Sequence, residues 1–241
     1  MPPLVIAHRG ASATAPESTA AAIRAAVRAG AAMVELDVQM TRDRRLVIFH
    51  DDRLERTTDG TGHLTQATWA QLARLDAGGW FHRRCKGERI LLVSQALALL
   101  PPSVGVNLEL KTTARPRALL CRVVRVLRRA RGTKRIWLSS FHAALLRPLR
   151  RTGWPLALIC REEADRALAR AIRLGCAAWH PFHTLLTPRR LARAHAAGLR
   201  VHVWTVDEPS HAHDLARLGV DGIFTNDPAR LVTALRARAR R

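Results

Sequence analysis

Residues 4–40 read LVIAHRGASATAPESTAAAIRAAVRAGAAMVELDVQM. The stretch opens on an apolar run, 4–8, that ends in the polar His8-Arg9-Gly10. Ala, Ile and Val then recur at helical spacing over 18–29, and Gly30 stands where a helix C-terminus favours a left-handed residue. A second extended run follows at 32–40, in which Glu35 and Asp37, two positions apart, share one face of the strand. Strand, helix, strand in this order is one βα unit feeding a parallel partner.

The same alternation runs to the end of the chain. Extended runs are expected at 105–111, 136–141, 156–160, 177–181, 201–206 and 222–225, with helices at 116–130, 143–151, 162–174, 188–197, 210–218 and 228–238. With the first two runs these make eight parallel strands, and 241 residues is the size of a single (β/α)8 TIM barrel. A doubly wound open sheet would use the same alternation; the strand count favours the barrel. One stretch breaks the rhythm. After a further extended run at 46–50, residues 51–90 hold Thr57-Thr58-Asp59-Gly60 and Gly78-Gly79-Trp80-Phe81 with no βα pattern. We read it as a small insertion after the second strand, lying over the barrel mouth, within one domain spanning 1–241.

Hydrophobic residues are 48% of the chain and charged residues 24%, which suits a globular protein with a full core. The formal net charge of +21 raises nucleic acid or an anionic membrane as a partner. However, 37 of the 40 basic residues are arginine, they run high together with alanine, and along the chain they fall on many expected helices rather than in one aromatic-interleaved stripe. The excess therefore reads as compositional: no nucleic-acid partner and no membrane contact is expected. Cys85, Cys121, Cys160 and Cys176 show neither CxxC spacing nor a small disulfide scaffold, no run of 18 apolar residues exists, and the start Met1-Pro2-Pro3-Leu4 lacks a leader pattern. A reduced, cytoplasmic protein is expected. Nothing in the sequence sets the oligomeric state.

The informative polar residues fall at the C-terminal ends of expected strands, where (β/α)8 enzymes hold their sites: His8-Arg9, Glu35 with Asp37, His50-Asp51, and Glu109-Leu110-Lys111. Two carboxylates on one strand face repel unless something positive lies between them. With Glu109 from another strand they make an oxygen donor set suited to Mg2+ or Ca2+. Lys111 shares the face of Glu109; it either neutralises that carboxylate or meets a substrate phosphate beside the metal ligands. His8 and His50 titrate near neutral pH and are candidates for acid/base work. The Arg9 guanidinium can grip a phosphate bidentately. His195, His211 and His213 fall on expected helices and read as solvated, whereas His180, His183 and His202 lie on or near late strands and read as non-catalytic.

Taken in order, His8-Arg9-Gly10, Pro16-Glu17-Ser18-Thr19, Glu35-Leu36-Asp37-Val38, His50-Asp51, Thr57-Thr58-Asp59-Gly60, Glu109-Leu110-Lys111, Trp204-Thr205-Val206 and the run from Asp221 to Pro228 resemble the glycerophosphodiester phosphodiesterase family. The likeness runs from residue 4 to about residue 230, in the family's order and spacing. It implies a (β/α)8 barrel with an insertion after the second strand, a divalent metal (Mg2+ or Ca2+) on Glu35, Asp37 and Glu109, and His8 with His50 as the acid/base pair. It further implies Arg9 and Lys111 on the phosphate, Trp204 in an apolar wall near the substrate, and hydrolysis of a small-molecule glycerophosphodiester to sn-glycerol 3-phosphate and an alcohol. Attack by water or by the neighbouring glycerol hydroxyl, through a cyclic phosphate, both remain open, as does which histidine is the acid. An alternative keeps the same site for a lysophospholipase D, with the insertion shielding an acyl chain. A binding module that had lost catalysis would not need to keep His8, Glu35, Asp37, His50, Glu109 and Lys111 together. Three departures touch no site residue: Ser18 stands where the family usually has Asn, Leu91-Leu92-Val93-Ser94-Gln95 replaces a commoner Pro-Thr-Leu-Glu-Glu, and Asp207 stands where Asn is frequent.

Overall fold

The computed structural model describes residues 2–130 and 135–239. In chain order its strands are β1 (Leu4–His8), β2 (Met33–Met40), β3 (Leu46–Ile48), β4 (Leu91–Leu92), β5 (Gly105–Leu110), β6 (Ile136–Ser140), β7 (Leu156–Cys160), β8 (Ala178–Pro181), β9 (Arg200–Val203) and β10 (Gly222–Thr225). The helices are α1 (Ala20–Arg28), α2 (Trp69–Leu72), α3 (Val93–Ala98), α4 (Pro116–Arg129), α5 (Ala143–Leu146), α6 (Ala164–Leu174), α7 (Pro188–Ala196), α8 (Pro209–Leu218) and α9 (Pro228–Ala239). Strands β1, β2 and β5 to β10 pair in parallel, and β1 bonds to both β2 and β10, which closes the ring. The open-sheet alternative is thereby excluded, and the chain is a (β/α)8 barrel.

Period-two alternation assigns each side chain to one of two cores. Outward residues such as Val34, Leu36, Leu108, Leu138 and Trp179 join the apolar faces of the helices in one large cluster. Inward, Ile6, Met33, Trp137, Ala157, Ala178 and Phe224 fill the ring with a smaller apolar plug. Two residues further along the same strands the inward positions turn polar: Glu35, Asn107 after Gly105, Ser139 and His180, all buried. The barrel thus changes from apolar to polar along its axis, toward the strand C-terminal ends.

The first βα turn is built by three left-handed residues, Arg9, Gly10 and Ser18, and one close approach. Arg9 and Ser18 take φ of 57° and 62°, conformations that cost a non-glycine residue strain and are held by the surrounding bonds. Ser18 N–H donates to the Arg9 carbonyl at 2.9 Å, which is why the helix starts at Ala20, capped by the Thr19 hydroxyl, and not at residue 18. Gly10 has φ of 84°, and a Cβ there would lie 2.7 Å from the Ala22 backbone, so no other residue fits without moving α1.

The insertion is a folded unit with a small core of its own. Strand β3 runs antiparallel to β2 beyond the barrel rim, and β4 antiparallel to β3. Val47, Phe49, Leu54, Leu64, Leu72, Ala77 and Ile90 pack together beneath short 3-10 turns and α2, whose Thr68 and Gln71 form a capping box. It is tied to one side of the mouth, where Glu88 accepts from the Ala21 N–H at the start of α1. The helix start after residue 91 is supplied by Gln95, whose side-chain oxygen accepts from Leu92 N–H at 2.8 Å. The expected helix at 143–151 gives way to a 3-10 turn, Arg147–Leu149, because Pro148 interrupts it.

Candidate active site

Register brings the acidic residues together. His8 pairs with Glu35 across β1 and β2, and Asp37 with Glu109 across β2 and β5. One carboxylate oxygen from each of Glu35, Asp37 and Glu109 lies within 4.8 Å of the others. Glu35 Oε1 and Asp37 Oδ2 are buried and accept no hydrogen bond, a costly arrangement unless a cation completes it. Burial, with Asp37 and Glu109 alongside, drives the Glu35 carboxyl well above the usual carboxylate range. Burial and Asp37 push Glu109 to about 7. Burial would also raise Asp37, but Lys111 and Arg9 outweigh it and hold that carboxyl low. An all-oxygen, partly unsatisfied set of this kind fits a hard divalent cation.

Two cations flank the triad. Lys111 Nζ lies 3.0 Å from Glu109 and 3.4 Å from Asp37, and Arg9 Nε lies 3.5 Å from Asp37. The Arg9 backbone N–H donates to Glu35 Oε2 at 3.0 Å, a bond that the left-handed turn makes available. Arg9 also donates to Glu17, which accepts two bonds from Arg56 of the insertion; Arg56 in turn pairs with Asp51. An unbroken line of alternating charge therefore runs from Asp37 through Arg9, Glu17, Arg56 and Asp51 to His50, whose Nδ1–H donates to Asp51 at 2.5 Å.

The two histidines have different second partners. His8 Nδ1 faces the Asn226 side-chain oxygen at 2.8 Å; an amide oxygen only accepts, so Nδ1 carries the proton and Nε2 is left as a lone pair. Burial, then Arg9, lowers this imidazole to about 4. His50 instead backs onto a carboxylate, which burial would raise but which Arg56 and His50 hold at about 2. The buried Gln39 amide points at the Phe49, His50 and Asp51 carbonyls, the last at 2.7 Å, and so fixes the backbone under His50.

Trp204 stands apart, just after β9, three strands from β2. Its ring meets Phe141 and Phe182 edge-on at 5.6 and 5.2 Å, forming an aromatic flank of the mouth. At the mouth the side chains of His50, Lys111 and Arg9 are 31%, 20% and 17% exposed, and Arg56 of the insertion reaches Glu17 beside Arg9. Of the late histidines, His180 and His202 are inside the barrel, bonded to each other at 3.1 Å; His183 pairs with His211, and His195 with Asp221. Sequence reasoning assigned no part to Gln39, Arg56 or Asp207, and gave Asn226 and Glu17 no contact; only membership in a motif marked the last two.

Residues 8–230 match the Glycerophosphoryl diester phosphodiesterase family. The chain belongs to that family. It is 32% identical to the glycerophosphodiester phosphodiesterase of Caldanaerobacter subterraneus subsp. tengcongensis over 98% of this chain and 99% of that one. It is 30% identical to the Bacillus altitudinis glycerophosphodiester phosphodiesterase over 95% and 96%. Among solved structures it is similar to an Oleispira antarctica phosphodiesterase held with its product sn-glycerol-3-phosphate, at 31% identity and a TM-score of 0.92 over 98% of this chain and 97% of the other. As a member of the glycerophosphoryl diester phosphodiesterase family, the protein is a hydrolase of glycerophosphodiesters. Among the described residues no helix is long and apolar enough to cross a membrane.

Proposed function

We propose that this enzyme hydrolyses glycerophosphodiesters to sn-glycerol 3-phosphate and an alcohol, with His8 and His50 transferring the protons and Glu35, Asp37 and Glu109 holding Mg2+ or Ca2+. The observation that carries the reading is the unequal backing of the two imidazoles, an amide oxygen behind His8 and a carboxylate behind His50. A bound divalent cation would supply charge compensation for the phosphate oxygens as negative charge grows there. Arg9 and Lys111, both still cationic beside Asp37, would bind the remaining phosphate oxygens and offset the same charge. Neutral His8, with its lone pair on Nε2, receives the proton of the attacking oxygen. His50, held by the Asp51 carboxylate at its Nδ1, gives a proton to the departing alcohol. A new P–O bond forms as the bond to that alcohol breaks. Trp204 would offer an apolar face to the glycerol carbons.

The oxygen-rich mouth suits small, water-soluble diesters. A lysophospholipid is less favoured, since most apolar side chains of the insertion close into its own core and only Trp80 among its large hydrophobics is exposed. The deciding experiment measures release of glycerol 3-phosphate from a panel of glycerophosphodiesters and lysophospholipids, with Mg2+, with Ca2+ and after removal of both. Turnover of the soluble diesters that depends on a divalent ion is expected; preference for lysophospholipids, or full turnover without metal, overturns the reading.

A further inference from the structure

Between Glu109 and Glu162 the chain has no acidic residue. These 52 consecutive positions carry 14 Arg or Lys and no Asp or Glu, although acids make up 19 of the 241 residues overall. A compositional excess of arginine accounts for the bases but not for the missing acids. The barrel then gathers the segment into one sector, because β5, β6 and β7 are neighbours and their helices lie over them.

On that sector α4 borders an open groove of about 560 Å³, floored by Leu120, Val124 and Leu149 and rimmed by Arg125, Arg128 and Arg129. On the other flank of α4, Arg122 joins Arg44 and Arg45 around a smaller groove. None of these six arginines makes an ion pair among the described residues, and no acidic side chain lines either groove. Unpaired arginine on an apolar floor differs from an ordinary solvated face, where charges of both signs are interspersed.

We propose that this face docks the enzyme, peripherally and reversibly, on membranes rich in anionic phospholipid. Anionic headgroups require only cations to meet them, and the upper acyl region accepts Leu and Val together with the aliphatic stems of arginine. The two grooves hold no aromatic ring on which a base could stack, and their apolar floor matches an acyl region rather than a phosphate backbone. Arg125, Arg128 and Arg129 sit in the second half of α4, which leads back toward the start of β6 and so to the end of the barrel remote from the strand C-termini that carry Asp37 and Glu109; docking through them leaves the mouth facing solvent and its soluble substrates. Arginines that look scattered along the chain are brought by the fold to the two flanks of α4.

The test is vesicle co-sedimentation at about 0.15 M salt, where exposed charges are screened over about 8 Å. Wild type is expected to bind phosphatidylcholine vesicles that contain about 30% phosphatidylglycerol and not phosphatidylcholine alone. The triple variant R125Q/R128Q/R129Q should bind about tenfold more weakly or worse, while R166Q/R189Q/R217Q, which removes the same charge from other faces, should stay within about twofold of wild type. Both variants should turn over a water-soluble glycerophosphodiester as wild type does, which checks the fold. Equal loss in the two variants, no retention of wild type at this salt, or single-stranded DNA displacing wild type from the vesicles each overturns the proposal.

Discussion

Asp207 takes both nitrogen donors of Asn226, the backbone N–H and the side-chain amide, each at 2.7 Å. The side-chain oxygen of Asn226 is thereby turned toward His8, and the tautomer of a strand-end histidine is set by a carboxylate it never touches. Asn226→Ala is expected to lower kcat by roughly tenfold or more with a smaller effect on KM, and to mix the His8 tautomers. Asp207→Asn, which permits the Asn226 amide to flip, should do the same more mildly. Steady-state kinetics with nitrogen NMR of the His8 ring reads both; an unchanged tautomer in both variants would sink the idea.

Removal of metal should abolish turnover, because Glu35 Oε1 and Asp37 Oδ2 are buried and accept no hydrogen bond, an arrangement that a bound cation would satisfy. Glu35→Ala or Asp37→Ala should act in the same way, while Asp43→Ala or Asp76→Ala, in loops away from the triad, should keep most activity. Assays after dialysis against chelator, with metal added back, decide the point.

His8→Ala and His50→Ala should each cost roughly 10²-fold in turnover, the scale of general acid/base catalysis. Thermal unfolding should change little, since both side chains lie at the mouth and not in the apolar plug. Near-normal turnover of a soluble diester by either variant would make that ring structural.

Stability should depend on the buried pair His180 and His202. Burial holds His202 at about 4 and His180 well below its usual value. Between about 6.5, the unfolded value, and 4 the unfolded chain binds a proton that the native His202 refuses, so stability is complete above about pH 6.5 and declines as pH falls toward 4. This ring alone accounts for roughly 3 kcal/mol of that decline. Urea unfolding from pH 7 to pH 4 should show a shallower slope in His202→Gln than in wild type; equal slopes would refute the assignment.

The parts of this architecture that were legible in the sequence are those written in local periodicity. The alternation of eight extended runs with helical stretches gave the barrel, polar residues at the ends of a few of them gave the candidate site, and the two-residue spacings of Glu35 with Asp37 and of Glu109 with Lys111 gave shared faces. What stayed hidden depends on distance along the chain. His8 and Asn226 are 218 positions apart, and Arg56 reaches Glu17 across 39, so no window holds both partners. The insertion was read as patternless because its core is assembled from single apolar residues between turns. Helix starts moved by a residue or two where a left-handed residue, as at Ser18 and Glu163, postponed the first turn.

The ring closure between β1 and β10 has a consequence in time. During synthesis the carboxylates are all present once residue 109 has emerged, and β2 can take its place beside β5. Yet β1 must wait for β10 before its second edge is paired, and His8 must wait for Asn226 before its proton is fixed. A nascent or C-terminally shortened chain would therefore carry the acidic cluster without the Asn226 partner of His8, and long-range closure of this kind is slow to form. The contact that fixes the His8 ring is thus completed only with the final strand of the barrel.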